Sequence, residues 1–365
     1  MRRPSLFKTV TLLCFIIVVV YIFSVKNGTA KTSNNEHKTD LLPPPPQSVS
    51  QKTAENTITI SFVVCDSRFN ESLNVVKSVL LFTKSPVRFI IFSDENLKNK
   101  FEDTLKVWQK LVRYRLIYEI HDITFPKAHE KDWLNLFSKC AAQRLFIPEL
   151  VPHIDTMIYV DTDTLFLGPA EVLWQKFTEF NSSQISAMAL EDDNPNVSWY
   201  PRFAKHPFYG QYGLNSGVML MNLTRMRNFG WVDYVTPIML KWKLYIPWGD
   251  QDIINIIFHY HPGAVRVLSC RHNYRPDQCM YGDACSRAAA GVTVLHASRR
   301  AAHNNKQPAF QAIYRAIDEY EIGGDPRQVV LNMDKYLTAA PDSYCGNMKD
   351  AFLKLPLQIL TPDVR

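Results

Sequence analysis

The sequence contains no Cys-x-x-Cys pair, no long block of lysine or arginine, and no internal repeat. The first absence argues against a zinc site built on paired cysteines. The second removes the footprint of a nucleic-acid-binding protein: the formal net charge is +6 and the basic residues are spread over both termini and the middle. The third argues against a stack of repeated units. Glycine is sparse, at 13 residues against 22 prolines in a chain of 365, while 46% of residues are hydrophobic and 21% charged. That is the composition of a globular protein, in one large or two intimately packed domains.

Against this background the amino terminus stands out. Residues 10–25 (VTLLCFIIVVVYIFSV) form an apolar run preceded by Arg2, Arg3 and Lys8. As a helix the run extends roughly 24 Å, adequate for a thin bilayer if Leu6 and Phe7 join it and Lys8 snorkels. Positive charge ahead of it favours a cytoplasmic amino terminus. The expectation is therefore a single-pass type II membrane protein: tail 1–8, signal-anchor 9–25, lumenal stem 26–56 with Pro43 to Pro46 extended, and a lumenal body 57–365. A cleaved signal peptide is the alternative, because Gly28-Thr29-Ala30 has the small-x-small pattern of a cleavage site. Either reading sends the chain into the secretory pathway, with the Golgi or endoplasmic reticulum membrane as the expected location.

Sequons at Asn27, Asn70, Asn181, Asn196 and Asn222 agree with a lumenal body. Asn222 ends an expected buried strand, so its sequon is expected to be empty. Cys14 lies in the apolar run, which leaves Cys65, Cys140, Cys270, Cys279, Cys285 and Cys345. An even number in an oxidising compartment predicts up to three disulfides, with the pairing open and Cys279 and Cys285 near enough to close a small loop.

Within the body, apolar runs at 58–65, 89–92, 116–120 and 157–160 read as buried strands. Helical periodicity follows at 73–80, 97–112 and 141–150. Further strand-like runs lie at 185–190, 218–221, 265–268 and 292–295, separated by long segments rich in aromatic and charged residues. Strands apolar on both faces and alternating with helices indicate an α/β fold with a mostly parallel sheet, and a ligand site at the carboxyl ends of its strands.

Chemistry enters at Asp161-Thr162-Asp163, directly after the strand MIYV. Two carboxylates at the end of a buried strand are costly unless their charge is compensated, and a hard divalent cation would do so. A capped turn explains the same triplet without any metal.

The segment MIYVDTDTLFL resembles the metal-binding strand end of the retaining glycosyltransferases of family eight, which include glycogenin and bacterial galactosyltransferases. Asn215-Ser216-Gly217-Val218, Gly249-Asp250-Gln251-Asp252, Val294-Leu295-His296 and Lys306-Gln307-Pro308 resemble further motifs of that family, in the same order. Longer strings (CAAQRLFIP, WYPRFAKHPFYG, NSGVMLMN, WGDQDIIN, NYRPDQCMYG, KQPAF) are similar to its glucoside xylosyltransferase group. The resemblance implies a single nucleotide-sugar-binding domain of GT-A, Rossmann-like type over 57–365. It also implies transfer of xylose from UDP-xylose, with retention, to glucose O-linked to EGF-like repeats of Notch-type acceptors.

Under that resemblance Asp161, Asp163 and His296 would hold Mn²⁺ or another divalent cation, and Arg144, Thr162, Asn215, Ser216 and Lys306 would join the two aspartates in binding donor. Asp250 and Gln251 would be the catalytic pair. A glutamine amide is a poor nucleophile, which favours front-face departure and attack with Gln251 stabilising positive character at the anomeric carbon. Each has a plainer role: His296 a core histidine, Asp250 a helix cap, Arg144 and Lys306 solvated charges. Trp199, Tyr200, Trp248 and Tyr274 are candidates for an acceptor-facing aromatic wall. A galactosyl- or glucosyltransferase of the same family, or a catalytically silent lectin or chaperone, are the alternatives. One departure stands out. Where the family usually has glycines after the histidine, this chain has Ala297, Arg299 and Arg300, so the phosphate loop is expected either to differ in shape or to present those arginines to phosphate.

Overall fold

A computed structural model describes residues 57–136, 140–192, 194, 198–282, 284–340 and 343–362. The expected anchor 9–25, the stem 26–56 and the sequons at Asn27 and Asn196 lie outside them. Among the described residues no helix is long and apolar enough to cross a membrane. A crossing needs about 20 largely apolar residues, and the longest described helix, Glu95–Leu111, has 17 residues and buries only Leu97, Phe101 and Leu105. The expectation of a single-pass type II protein in the Golgi or endoplasmic reticulum membrane is therefore not upheld.

The strands are β1 (Ile58–Val64), β2 (Val87–Ser93), β3 (Leu116–Asp122), β4 (Thr156–Val160), β5 (Thr164–Phe166), β6 (Ser186–Leu190), β7 (Leu214–Asn222), β8 (Val265–Leu268) and β9 (Val294–His296). Seven form one sheet in the order β3-β2-β1-β4-β7-β6-β8, and β5 pairs with β9 in a second. From β3 to β4 all neighbours are parallel, as the alternation of strands and helices predicts. The exception is β7, which runs antiparallel to both β4 and β6.

Two layers of helix cover the large sheet, and β1 shows why its strands are apolar on both faces. Ile58, Ile60, Phe62 and Val64 enter one core with α1 (Phe69–Phe82) and α2 (Glu95–Leu111). Val63 and Cys65, pointing the other way, enter a second core with α3 (Leu223–Phe229), α4 (Trp231–Trp242) and α5 (Asp250–Tyr260). A third core lies under the β5–β9 pair and is closed by α6 (Pro308–Asp318), α7 (Arg327–Ala339) and α8 (Lys349–Leu360).

Two local expectations change. Residues 141–150 do not make one helix: Ala141–Phe146 is a 3₁₀ turn and only Ile147–Leu150 is α-helical, with Pro148 at its start. Pro148 has no amide hydrogen to donate to the carbonyl four residues earlier, so the hydrogen-bond ladder is interrupted there and the proline sits in the first turn of the new helix. The disulfides are Cys65–Cys140, Cys270–Cys285 and Cys279–Cys345, so Cys279 and Cys285 each find distant partners rather than one another. Asn222, half-buried, caps α3 by accepting the Arg225 amide at 2.9 Å.

Candidate active site

The site forms where β4 ends. The Asp161 amide donates to the Gly217 carbonyl at 2.9 Å, holding the turn against antiparallel β7. On its other side the turn leads into β5, whose Thr164 pairs with His296 of β9, and the Ala297 amide donates to the Asp163 carbonyl at 2.8 Å. The two sheets thus bring Asp161, Asp163 and His296 together, with one ligand atom of each within 4.8 Å of the others. His296 Nε2 is 3.2 Å from Asp163 Oδ1 and 3.8 Å from Asp161 Oδ2. Burial works against ionisation of Asp163, but His296 beside it, together with the Arg68 charge, holds the carboxyl below its ordinary range.

A chain of amides orients the histidine. Its Nδ1 donates to Asn273 Oδ1 at 2.9 Å, leaving Nε2 toward the carboxylates. Asn273 Nδ2 donates onward to Asn215 Oδ1 at 2.7 Å, and Asn215 Nδ2 donates to Glu191 Oε2 at 2.7 Å. Gln251 closes this network: its Oε1 accepts from the Ser216 amide at 3.1 Å and from Asn215 Nδ2 at 3.2 Å, and its Nε2 donates to Glu191 at 3.1 Å.

Arg144 joins the metal-type group to the start of α5. Only 5% exposed, it donates from Nη2 to Asp161 Oδ1 at 2.8 Å and from Nη1 to the Ser216 carbonyl at 2.6 Å, while its Nε makes an ion pair with Asp250 Oδ2 at 2.5 Å. Its guanidinium lies over the Tyr159 ring. Burial pushes Asp250 up to about 7 despite the opposing charge of Arg144. Asp250 is not the cap of α5: Gly249, at φ +56°, precedes the helix, and Asp252 Oδ2 accepts the Trp248 amide at 2.8 Å.

Apart from Asn273, which stands behind His296, these side chains line a cavity of about 510 Å³ at the carboxyl ends of β1 and β4. Of the residues expected from sequence, Arg144, Asp161, Thr162, Asp163, Asn215, Ser216, Asp250, Gln251 and His296 line it. Lys306 does not: it is exposed and outside the lining. The aromatic candidates divide, with Trp199 and Trp248 in the wall, their rings 4.9 Å apart edge to face, and Tyr200 and Tyr274 fully buried.

Sequence reasoning missed Arg68, Glu191, Asn273 and Asp277. Glu191 carries the same signal as Asp161, a charged residue directly after a buried strand. Asn273 and Asp277 fall inside the string NYRPDQCMYG, but nothing in that string singles them out from their neighbours, and Asn273 reaches the site from a loop after β8.

The family model for glycosyl transferase family 8 matches residues 59–296. Glucoside xylosyltransferase 1 of Danio rerio is 41% identical over 334 residues, covering 88% of this chain and 82% of that protein. The Homo sapiens protein of the same name is 40% identical over 308 residues, covering 81% and 70%. Among solved structures, apo mouse xyloside xylosyltransferase 1 matches with a TM-score of 0.51 at 18% identity, over 67% of this chain and 98% of that one. Galactosyltransferase LgtC matches with a TM-score of 0.52 at 19% identity, over 66% and 87%. Those two likenesses establish the GT-A-like fold. The family match and the similarity over most of the chain go further, and by them this chain belongs to glycosyltransferase family 8, in its glucoside xylosyltransferase group.

Proposed function

We propose that the protein transfers xylose from UDP-xylose, with retention of configuration, to a glucose O-linked to an EGF-like repeat. The observation that carries this reading is the placement of Asp161, Asp163 and His296 on the same cavity as Gln251 and Asp250. Family membership implies a nucleotide-sugar donor and a glycoside acceptor. Xylose and a glucoside acceptor follow the relatives' names, while the EGF-like repeat rests on the sequence likeness alone.

Two carboxylate oxygens and one imidazole nitrogen make a donor set that suits Mn²⁺, and the Nδ1 bond to Asn273 leaves Nε2 available as a ligand. Held there, a divalent cation would serve as a Lewis acid for the UDP leaving group. The remaining work falls to the chain's own residues. Gln251, its amide fixed by Asn215, Ser216 and Glu191, presents a dipole rather than a nucleophile, which suits front-face exchange with stabilisation of positive character at the anomeric carbon. Asp250 and Asn215 supply polar groups for donor hydroxyls. Trp199 and Trp248 form an apolar wall against which an acceptor sugar would stack.

The test is transfer by the full chain to an aryl glucoside with Mn²⁺, comparing UDP-xylose, UDP-glucose and UDP-galactose, beside Asp163→Asn. Transfer confined to UDP-xylose and abolished in the variant supports the proposal. Transfer from another donor refutes the sugar, and no turnover with any of the three refutes the activity.

A further inference from the structure

The cations around the cavity are unequally committed. Arg144 is held by Asp161 and Asp250, Arg68 by Glu71 at 2.6 Å, and Arg299 by Asp277 at 2.5 Å. Arg300 also lines the cavity and is exposed, yet no side-chain hydrogen bond or ion pair joins it to another described residue. A cavity whose other arginines are already neutralised has little positive charge left for an incoming anion except at Arg300.

The backbone points the same way. Arg299 and Arg300 both take left-handed conformations, at φ +57° and +62°, which are strained for any residue with a β-carbon. The surroundings hold the strain in place. Asn304 Nδ2 donates to the Arg300 carbonyl at 2.8 Å, and His303 pairs at 2.8 Å with Glu71, the same carboxylate that holds Arg68. Backbone strain maintained by such ties is a feature of ligand clamps. Glycine would adopt this turn without cost, but it would leave the cavity wall without a cation.

We infer that Arg300 is the cationic contact for the donor's diphosphate, with the left-handed turn aiming it across the cavity mouth and Glu71 and Asp277 anchoring the elements on either side. This rests on the donor being a UDP-sugar but not on which sugar it carries. Arg300 takes the part that the family likeness gives to Lys306, which the structure leaves outside the cavity lining. A planar guanidinium suits a diphosphate because it can donate two parallel hydrogen bonds.

The experiment is calorimetric binding of UDP and of uridine to the full chain with Mn²⁺, comparing wild type, Arg300→Gly and Arg300→Lys. Arg300→Gly suits the left-handed turn and removes only the cation, so its thermal midpoint should not fall. Its UDP affinity should drop by about tenfold to a hundredfold while uridine affinity stays unchanged, and lysine should restore part of the loss. The inference is overturned if Arg300→Gly binds UDP like the wild type, or if UDP and uridine weaken together. A wild-type protein that binds no UDP would refute the donor reading itself, and a lack of transfer alone, with UDP still bound through Arg300, would refute only the proposed reaction.

Discussion

The imidazole of His296 occupies the space where a β-carbon on Gly217 would stand. Gly217 has an ordinary strand backbone, so the glycine there serves close approach and not unusual torsion angles.

Gly217→Ala therefore pushes the ring away from Asp161 and Asp163. Mn²⁺ affinity should fall about tenfold or more, the scale seen when a ligand's orientation is disturbed. Titrating the metal by calorimetry reads this directly, and wild-type affinity would mean that the ring has room to move.

Gln251→Ala removes the side chain that three neighbours hold in place. We expect kcat to fall by roughly a hundredfold with KM changed by only about threefold, the pattern of an interaction made mainly in the transition state. Steady-state kinetics with UDP-xylose and an aryl glucoside tests it; a rise in KM alone would reduce Gln251 to a donor contact.

Much of this geometry was legible beforehand. Asp161 and Asp163 announce themselves because charge directly after a buried strand needs an explanation, and His296 follows the same rule at the end of β9. Glu191 obeys it too and was passed over, since no family motif drew attention to it. The exposure of Lys306 could not be read from spacing, because it depends on how the turn Ser298–His303 coils. Cysteine pairing was equally hidden: proximity in sequence favoured Cys279 with Cys285, whereas the third core carries Cys345 to Cys279.

That last pairing links the loop after β8 to the segment preceding α8 across a separation of 66 residues. Replacing Cys279 and Cys345 together by serine should lower stability by about 2–4 kcal/mol. Denaturant midpoints of the wild type and the double variant would show it, and an unchanged midpoint would mean that packing of the third core suffices.

Asp192 is buried, and that burial pushes it up to about 7 even though Arg275 opposes the shift. Its folded-state value lies above the unfolded value of about 3.9, so the stability it contributes is complete below pH ~4 and is lost as pH rises through 7. Against Asp192→Asn, the wild type should lose on the order of 2 kcal/mol between those limits, after a discount for solvent screening. Thermal melts of both proteins across this range test the sign; a difference that does not change with pH refutes it.

The division of the strands between two sheets has a consequence for the order in which the chain is made. All seven strands of the large sheet have been synthesised once Leu268 is added, whereas His296 arrives later on β9. A nascent chain can therefore complete its main scaffold while still lacking His296. A chain ending between β8 and β9 would keep every strand of the large sheet without being able to assemble the Asp161, Asp163 and His296 group.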